Sequence, residues 1–189
     1  GLRLAYLSGS KKWSQKTIEK SINEPTDFVM NCISNPNSGV PEKSYGAVFG
    51  YVQSGKTANY IGLINKAVDA GYKIIIVLAG MHNNLRSQTQ MRIDEEVLGF
   101  ETSIEYLRQK AGLVPSIIGV GTLNFKMDKS IEALTSRDEK GDFTKGRAGV
   151  SRQYDQPKIF IVKKQSKVLQ YVYDNLSKNH AAVQSPDGT

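Results

Sequence analysis

Four short apolar runs divide this sequence, and each has the composition of a β-strand that is buried on both faces. The runs are residues 45–49, 73–79, 117–120 and 158–162. β-Branched or aromatic residues are common in these runs, and polar residues do not alternate with apolar ones as they do on a half-exposed strand. We therefore predict four strands that belong to a mainly parallel sheet.

Between and after these runs, apolar residues recur every three or four positions, which is the period of an amphipathic helix. Glycine stands where two of these patterns end, as is typical of helix carboxyl termini. The predicted helices are one that carries Ile61, Ile64 and Val68 and ends before Gly71, one at 84–99, short ones at 103–111 and 130–134, one at 166–176, and one that begins near Pro25.

The alternation of strands and helices predicts an α/β fold, with a mainly parallel sheet flanked by helices. We expect a helical segment at 1–44 that packs on a lobe formed by 45–180, and a disordered tail at 181–189. Residues 137–152 mix five basic with three acidic residues and three glycines, which favours an exposed loop.

A phosphate-binding motif follows the first predicted strand directly. Residues 50–57 read GYVQSGKT, which fits G-x-x-x-x-G-K-S/T and leads into a predicted helix. In such a loop backbone N–H groups cradle the phosphates, the lysine reaches the β- and γ-phosphates, and the Thr57 hydroxyl binds Mg²⁺. The alternative interpretation is a glycine turn before a helix. The predicted ATP-binding residues are Gly50, Gln53, Ser54, Gly55, Lys56 and Thr57, of which Lys56 and Thr57 have the catalytic roles.

Composition agrees with an intracellular globular domain. The 189 residues, 39% of them hydrophobic, are enough to bury a core. Cys32 is the single cysteine, so it excludes an intrachain disulfide, and we predict that it lies with Met30 and Ile33 in a buried patch. There is neither an apolar run long enough to span a bilayer nor a signal-peptide pattern. We expect a cytoplasmic protein without membrane association.

The balance of charges permits a polyanionic partner. The formal net charge is +7 and the isoelectric point is about 9.4. Basic residues are spread along the chain, however, as on an ordinary solvated surface. Charge alone therefore does not decide whether nucleic acid binds.

No predicted strand ends in a carboxylate. A phosphate-loop ATPase holds Mg²⁺ through a carboxylate at the end of another core strand and usually activates water with a second one. The strands here run instead into Gly80, Gly121 and the pair Lys163-Lys164. We therefore expect an amino-terminal piece of a larger protein, cut before its metal-binding (Walker B) strand, which by itself hydrolyses ATP very slowly or not at all.

Two stretches resemble one known family. GYVQSGKTANYIGLINKAVDAGYKIIIVLAGMHNNLRSQTQMRIDEE, residues 50–96, closely resembles the opening of the Z-one domain proteins, and IVKKQSKVLQYVYDNL, residues 161–176, is similar to a later strand and helix of that family. Together they make up about a third of the chain. The family consists of bacterial proteins classed as endonucleases, with a superfamily-two helicase-like ATPase core, in restriction or phage-defence gene clusters.

The resemblance implies a RecA-like P-loop lobe that binds ATP and Mg²⁺. It also implies a second ATPase lobe in the same parent chain, DNA as a partner and proteins of the same defence operon as further partners. Family members carry an acidic motif after this region, and residues 1–189 lack it.

The same resemblance suggests a nucleic-acid face. Superfamily-two motors carry a Leu-x-x-Gln signature after the second strand, and residues 85–88 read LRSQ. Amide and guanidinium donors at a helix N-terminus suit contacts with phosphates, while a lysine pair at a strand end suits the same role. The alternatives are a polar helix cap and a solvated strand end. The predicted nucleic-acid-binding residues are Asn84, Arg86, Gln88, Lys163 and Lys164.

Other polar or aromatic residues have simpler interpretations. His82 has neither a cysteine pair nor a third ligand beside it, which favours a loop residue over a metal ligand. Trp13 could stack on an adenine base, and the pattern favours packing of the N-terminal helix instead.

The sequence as a whole predicts the ATP-binding lobe of a nucleic-acid-dependent ATPase. The alternative is an ATP-sensing scaffold that switches partner proteins without moving along a strand. A small-molecule kinase is a third possibility, but the chain shows no acceptor site with an acidic base.

Overall fold

A sheet of three parallel strands forms the centre of the fold. The computed structural model describes residues 1–39, 42–49, 55–104, 114–123, 131–145 and 156–184. Its strands are β1 Ile74–Leu78, β2 Glu132–Ala133 and β3 Lys158–Val162, in the order β1-β3-β2. β1 pairs with β3 along its whole length, with Ile76 opposite Phe160. The predicted α/β class with a parallel sheet is thus confirmed.

Helices flank this sheet and form an additional N-terminal layer. They are α1 Leu2–Gly9, α2 Gln15–Ile18, α3 Glu24–Cys32, α4 Lys56–Asp69, α5 Asn83–Ile93 and α6 Ser166–Gln184. The π-helical turn Glu19–Asn23 joins α2 to α3, the π-helical turn Asp94–Leu98 continues α5, and Gly119–Leu123 forms a 3₁₀ turn.

β3 is the central strand, and every side chain in it is buried. Ile159 and Ile161 point to one core, and Phe160 and Val162 point to the other, because side chains alternate along a strand. The first core also contains Ile61 and Ile64 of α4 with Ile93 and Val97, and the second contains Leu134, Phe143, Val168 and Val172.

The N-terminal helices pack on α4 through a third apolar cluster. Leu7, Ile18 and Ile22 are buried there, with Trp13 and Ala58 against them. Trp13 is therefore a packing residue in this structure, and its main contacts are with helices.

The helices with strong periodicity lie where the sequence predicted them. α4 carries Ile61 and Ile64 on its buried face, and α5 with its π turn ends at Gly99, which has the left-handed φ of 81°. The predictions for α4 and α5 are confirmed. α6 begins at Ser166 as predicted but continues to Gln184, so its predicted end at residue 176 and the predicted disorder of residues 181–184 are wrong.

Two of the four predicted strands are wrong. Residues 45–49 form neither helix nor strand, and the side chains of Tyr45 and Phe49 are 92% and 94% exposed. Ile117 makes only an isolated antiparallel bridge with Phe100, and a 3₁₀ turn follows it. Both runs are apolar, but apolar composition alone does not supply a pairing partner.

The region after residue 130 also departs from prediction. The predicted helix at 130–134 is wrong, because its described residues contain strand β2, Glu132–Ala133. The next residue, Leu134, donates its N–H to the carbonyl of Ile159 at 3.0 Å. The predicted exposed loop at 137–152 is wrong for its first part, because Phe143 is 1% exposed. Cys32, predicted in the core, is exposed. Most of the predicted helix 103–111, residues 146–152 and the end of the tail lie outside the described residues.

Candidate functional site

The last three residues of the phosphate-loop motif lie at the start of α4. Gly55 precedes the helix with φ 81°, a left-handed conformation that favours glycine. Lys56 is the first residue of α4 and is exposed, and Thr57 follows half-buried. Gly50, Gln53 and Ser54 fall among residues 50–54, outside the described residues. The described part of the motif thus presents a lysine and a hydroxyl at a helix N-terminus, where anions are favoured.

The position of α4 on the sheet follows from its short connection to β1. α4 ends at Asp69, Gly71 turns the chain with φ 100°, and β1 begins at Ile74. α4 packs across the sheet through Ile61 and Ile64. The helix therefore runs back over the sheet, and its first turn lies toward the carboxyl ends of the strands, where open α/β sheets bind ligands.

Two loops are bonded to each other at that edge of the sheet. The Lys164 N–H donates to the Gly80 carbonyl at 2.7 Å, and Gln165 Nε2 donates to the Met81 carbonyl at 3.3 Å. These bonds join the segment after β3 to the segment that leads into α5. Predicted residues Asn84 and Lys164 thus follow adjacent strands and are both exposed. Gln88, one turn further along α5, is exposed as well.

Lys163 differs from its neighbour because it has a carboxylate partner. Its Nζ lies 3.7 Å from Asp142 Oδ2, and its backbone N–H donates to the same oxygen at 3.4 Å. Asp142 is 7% exposed and also accepts the Phe143 N–H at 2.8 Å. Sequence reasoning missed this carboxylate at the end of β3, because it comes from a segment about twenty residues earlier.

Arg86 does not lie on the predicted nucleic-acid face. Its side chain is 0% exposed, Nη1 donates to the Ser136 carbonyl at 2.8 Å, and Nη2 donates to the Asp138 carbonyl. Burial lowers the pKa of the guanidinium, and the nearby carboxylates, first Asp142, oppose that effect. The phosphate-binding role predicted for Arg86 is therefore corrected to a structural one. Helical spacing could have predicted that Arg86 is buried, since Ile93 lies seven positions further along α5 on the same buried face.

Asp94 is the centre of a buried polar network beside Arg86. Its carboxylate accepts hydrogen bonds from Gln90 Nε2 at 3.0 Å, the Thr102 N–H at 3.0 Å and Arg137 Nε at 2.9 Å. Burial raises the pKa of this carboxyl, and those hydrogen bonds oppose the rise. Buried polar groups of this kind are stable only when they are bonded. The network therefore attaches the segment at Arg137 to α5.

The Arg86 contacts give a testable stability prediction. We expect Arg86→Leu to lower the free energy of unfolding by about 2 to 4 kcal/mol, because one buried and one partly buried carbonyl lose their donor. Gln88→Leu, an exposed substitution on the same helix, is expected to change it by less than about 0.5 kcal/mol. Urea unfolding of both variants measures the difference. An Arg86→Leu protein as stable as Gln88→Leu would contradict the structural role.

Comparisons with protein-family models, with curated proteins and with solved structures found no match.

Two features are absent from the described part of the chain. None of its helices combines the length and the apolar character that are needed to cross a bilayer. Nor do its histidine, cysteine, aspartate and glutamate side chains form a group of three or more that could hold a metal ion.

Proposed function

We propose that this chain is an ATP-binding lobe of the RecA-like, P-loop class, and that residues 50–57 hold the nucleotide phosphates. One observation carries the proposal. The sequence Gly55-Lys56-Thr57 completes the phosphate-loop pattern at the point where a left-handed glycine begins a helix packed on a parallel sheet. This combination of sequence motif and local structure supports an ATP-binding loop and not merely a glycine turn before a helix.

The described residues fit the chemistry of a phosphate ligand. Lys56 is exposed and carries a positive charge at a helix N-terminus, so it would neutralise phosphate oxygens there. Thr57 would present its hydroxyl to Mg²⁺, which is bound together with the nucleotide. ATP supplies the phosphoryl group for transfer when it is bound. The protein contributes position and charge.

For the whole parent protein we propose a nucleic-acid-dependent, helicase-like ATPase associated with an endonuclease of bacterial restriction or phage defence. The resemblance of residues 50–96 and 161–176 to the Z-one domain family supports it. The proposed nucleic-acid face consists of Asn84, Gln88 and Lys164, with Lys163 beside them. These residues follow the carboxyl ends of the paired strands β1 and β3, and three of their side chains are exposed.

Substitution of the exposed Lys164 tests the proposed nucleic-acid face. We expect Lys164→Ala to weaken binding of a single-stranded oligonucleotide and to lower the log–log salt slope by about 0.7, because one phosphate contact is lost. Lys16→Ala, an exposed lysine on α2, is the matched control and should change neither quantity. Fluorescence anisotropy at several salt concentrations measures both. Identical curves for the two variants would place the nucleic-acid face elsewhere.

A second function is favoured by one specific observation. Arg86 is buried, and Lys163 is paired with Asp142, so two of the five predicted nucleic-acid contacts have protein partners. This favours an ATP-sensing scaffold, in which nucleotide binding sets a conformation for partner proteins. Nucleotide binding without any oligonucleotide binding would select this function.

Calorimetric titration tests the nucleotide proposal that both functions share. Recognition through phosphates predicts that MgATP and MgADP bind and that adenosine does not, because adenosine offers no anion to Lys56. Equal binding of adenosine and MgATP would contradict the proposal.

A further inference from the structure

The ion pair between Lys163 and Asp142 lies at the border of the proposed nucleic-acid face. Lys163 directly follows β3, and its side chain is 18% exposed. The next residue, Lys164, belongs to that face and is exposed, as are the following residues up to 167. Solvent therefore lies beside the Lys163 side chain, although its ammonium group is paired with a carboxylate of the same protein.

The carboxylate of this pair is held more firmly than the ammonium group. Asp142 comes directly after a tight turn. The Ser136 N–H donates to the Gly141 carbonyl at 3.0 Å, and the Gly141 N–H donates to the Asp138 carbonyl at 2.8 Å. A methyl group at Gly141 would lie 2.3 Å from the Ser136 carbonyl oxygen, so the turn is closely packed. Phe143, on the other side of Asp142, is buried in the second core. The lysine ammonium group, in contrast, ends a long and flexible side chain.

The contact between the two charges can be exchanged at low cost. Nζ lies 3.7 Å from Asp142 Oδ2, which is an ion pair without a hydrogen bond, because N–H···O bonds are about 2.7 to 3.2 Å long. When the ammonium group turns away, the carboxylate keeps the backbone N–H groups of Phe143 at 2.8 Å and Lys163 at 3.4 Å. The Arg86 guanidinium also interacts electrostatically with it. Release of the ammonium group therefore does not leave an uncompensated buried charge, which would be the main cost.

A nucleic-acid phosphate would compete with Asp142 for the same ammonium group. A lysine that is already neutralised by a carboxylate contributes little to the binding of a polyanion. The carboxylate itself is a like charge for the phosphates, and like charges across an interface weaken binding. Asp142 thus lowers the affinity of this face for nucleic acid through its contact with Lys163.

We propose that Asp142 is an autoinhibitory residue, which withholds the Lys163 ammonium group from nucleic-acid phosphates. When the carboxylate is neutralised or displaced, Lys163 joins Lys164 in contact with the phosphate backbone. This inference rests on the proposed nucleic-acid face.

Neutralisation of the carboxylate tests the contact by fluorescence anisotropy with a single-stranded oligonucleotide. We expect Asp142→Asn to bind about tenfold more tightly and to steepen the log–log salt slope by about 0.7, because one phosphate contact is gained. The amide oxygen can still accept the Phe143 N–H, so the variant is expected to fold. Glu139→Gln removes an exposed carboxylate from the same segment and is the matched control for net charge. It should leave both quantities near those of the unmodified chain.

A double variant separates the ion pair from the general effect of a negative charge. Asp142→Asn/Lys163→Met is expected to bind as Lys163→Met does, because the gain depends on the released ammonium group. The inference alone is overturned if the unmodified chain binds and Asp142→Asn binds no better than Glu139→Gln, or if the gain persists without Lys163. If neither the unmodified chain nor Asp142→Asn binds the oligonucleotide, the proposed face fails, and the inference fails with it.

NMR of the lysine ammonium groups supplies a measurement that needs no substitution of Asp142. In the ¹⁵N-labelled unmodified chain, addition of the oligonucleotide should shift the Lys164 ammonium resonance, while that of Lys163 keeps its position. Equal shifts of the two resonances would show that Asp142 does not withhold Lys163. That result overturns the inference even if Asp142→Asn does not fold.

Discussion

Phe143→Ala is expected to lower the free energy of unfolding by about 3 to 5 kcal/mol, the usual cost of removing a buried phenylalanine side chain. Phe143 is 1% exposed and packs edge-on against Phe160, with ring centroids 5.2 Å apart and planes inclined at 69°. The substitution leaves a cavity between β3 and α6, because rigid neighbours close it only in part. Urea or thermal unfolding measures the loss.

Phe49→Ala is the matched control for that measurement. Phe49 is 94% exposed, so its removal is expected to change stability by less than about 0.5 kcal/mol. The sequence alone predicts the larger loss of stability for Phe49→Ala, since Phe49 lies in an apolar run and Phe143 lies in a charged, glycine-containing segment. A larger loss for Phe49→Ala than for Phe143→Ala would contradict the described packing.

Local patterns predicted the elements whose periodicity extends over several turns or whose strand is central. α4 and α6 have apolar faces that recur over many residues, and β3 is apolar on both faces because helices cover both. α5 was predicted as well, although the buried residues on its inner face are Arg86, Gln90 and Ile93. β1 was also predicted, although its residues Ile74, Ile76 and Leu78 are 47%, 42% and 49% exposed. Its composition is that of a buried strand, while one of its faces is only partly covered.

The elements that sequence reasoning missed depend on contacts between distant residues. β2 has two residues, and its strand geometry comes from pairing with β3, about twenty-five positions later. Such a short segment has no period to recognise, and the partner decides its conformation. Phe143 is buried for the same reason, through contact with Phe160.

The candidate site was predicted in part. The motif predicts a role for Gly55, Lys56 and Thr57, because a phosphate loop has a fixed spacing within one segment, and that role stays a prediction. Because Asn84 and Lys164 each follow a predicted core strand, the sequence also placed them at one edge of the sheet, and in the structure these strands, β1 and β3, are adjacent. The charge of Arg86 predicted an exposed side chain, although its position in α5 lies on the same face as the buried Ile93. Its carbonyl partners lie some fifty residues away, beyond the reach of local patterns.

The central claim is that Lys56 binds nucleotide phosphates, and calorimetric titration of MgATP into Lys56→Ala tests it most directly. Loss of the charged donor is expected to weaken MgATP binding by about a hundredfold. Lys167→Ala is the matched control, because Lys167 is also an exposed lysine in the first turn of a helix. Circular dichroism should show that both variants are folded. The proposal predicts unchanged affinity for Lys167→Ala and a large loss for Lys56→Ala, and equal affinities of folded Lys56→Ala and the unmodified chain would contradict it.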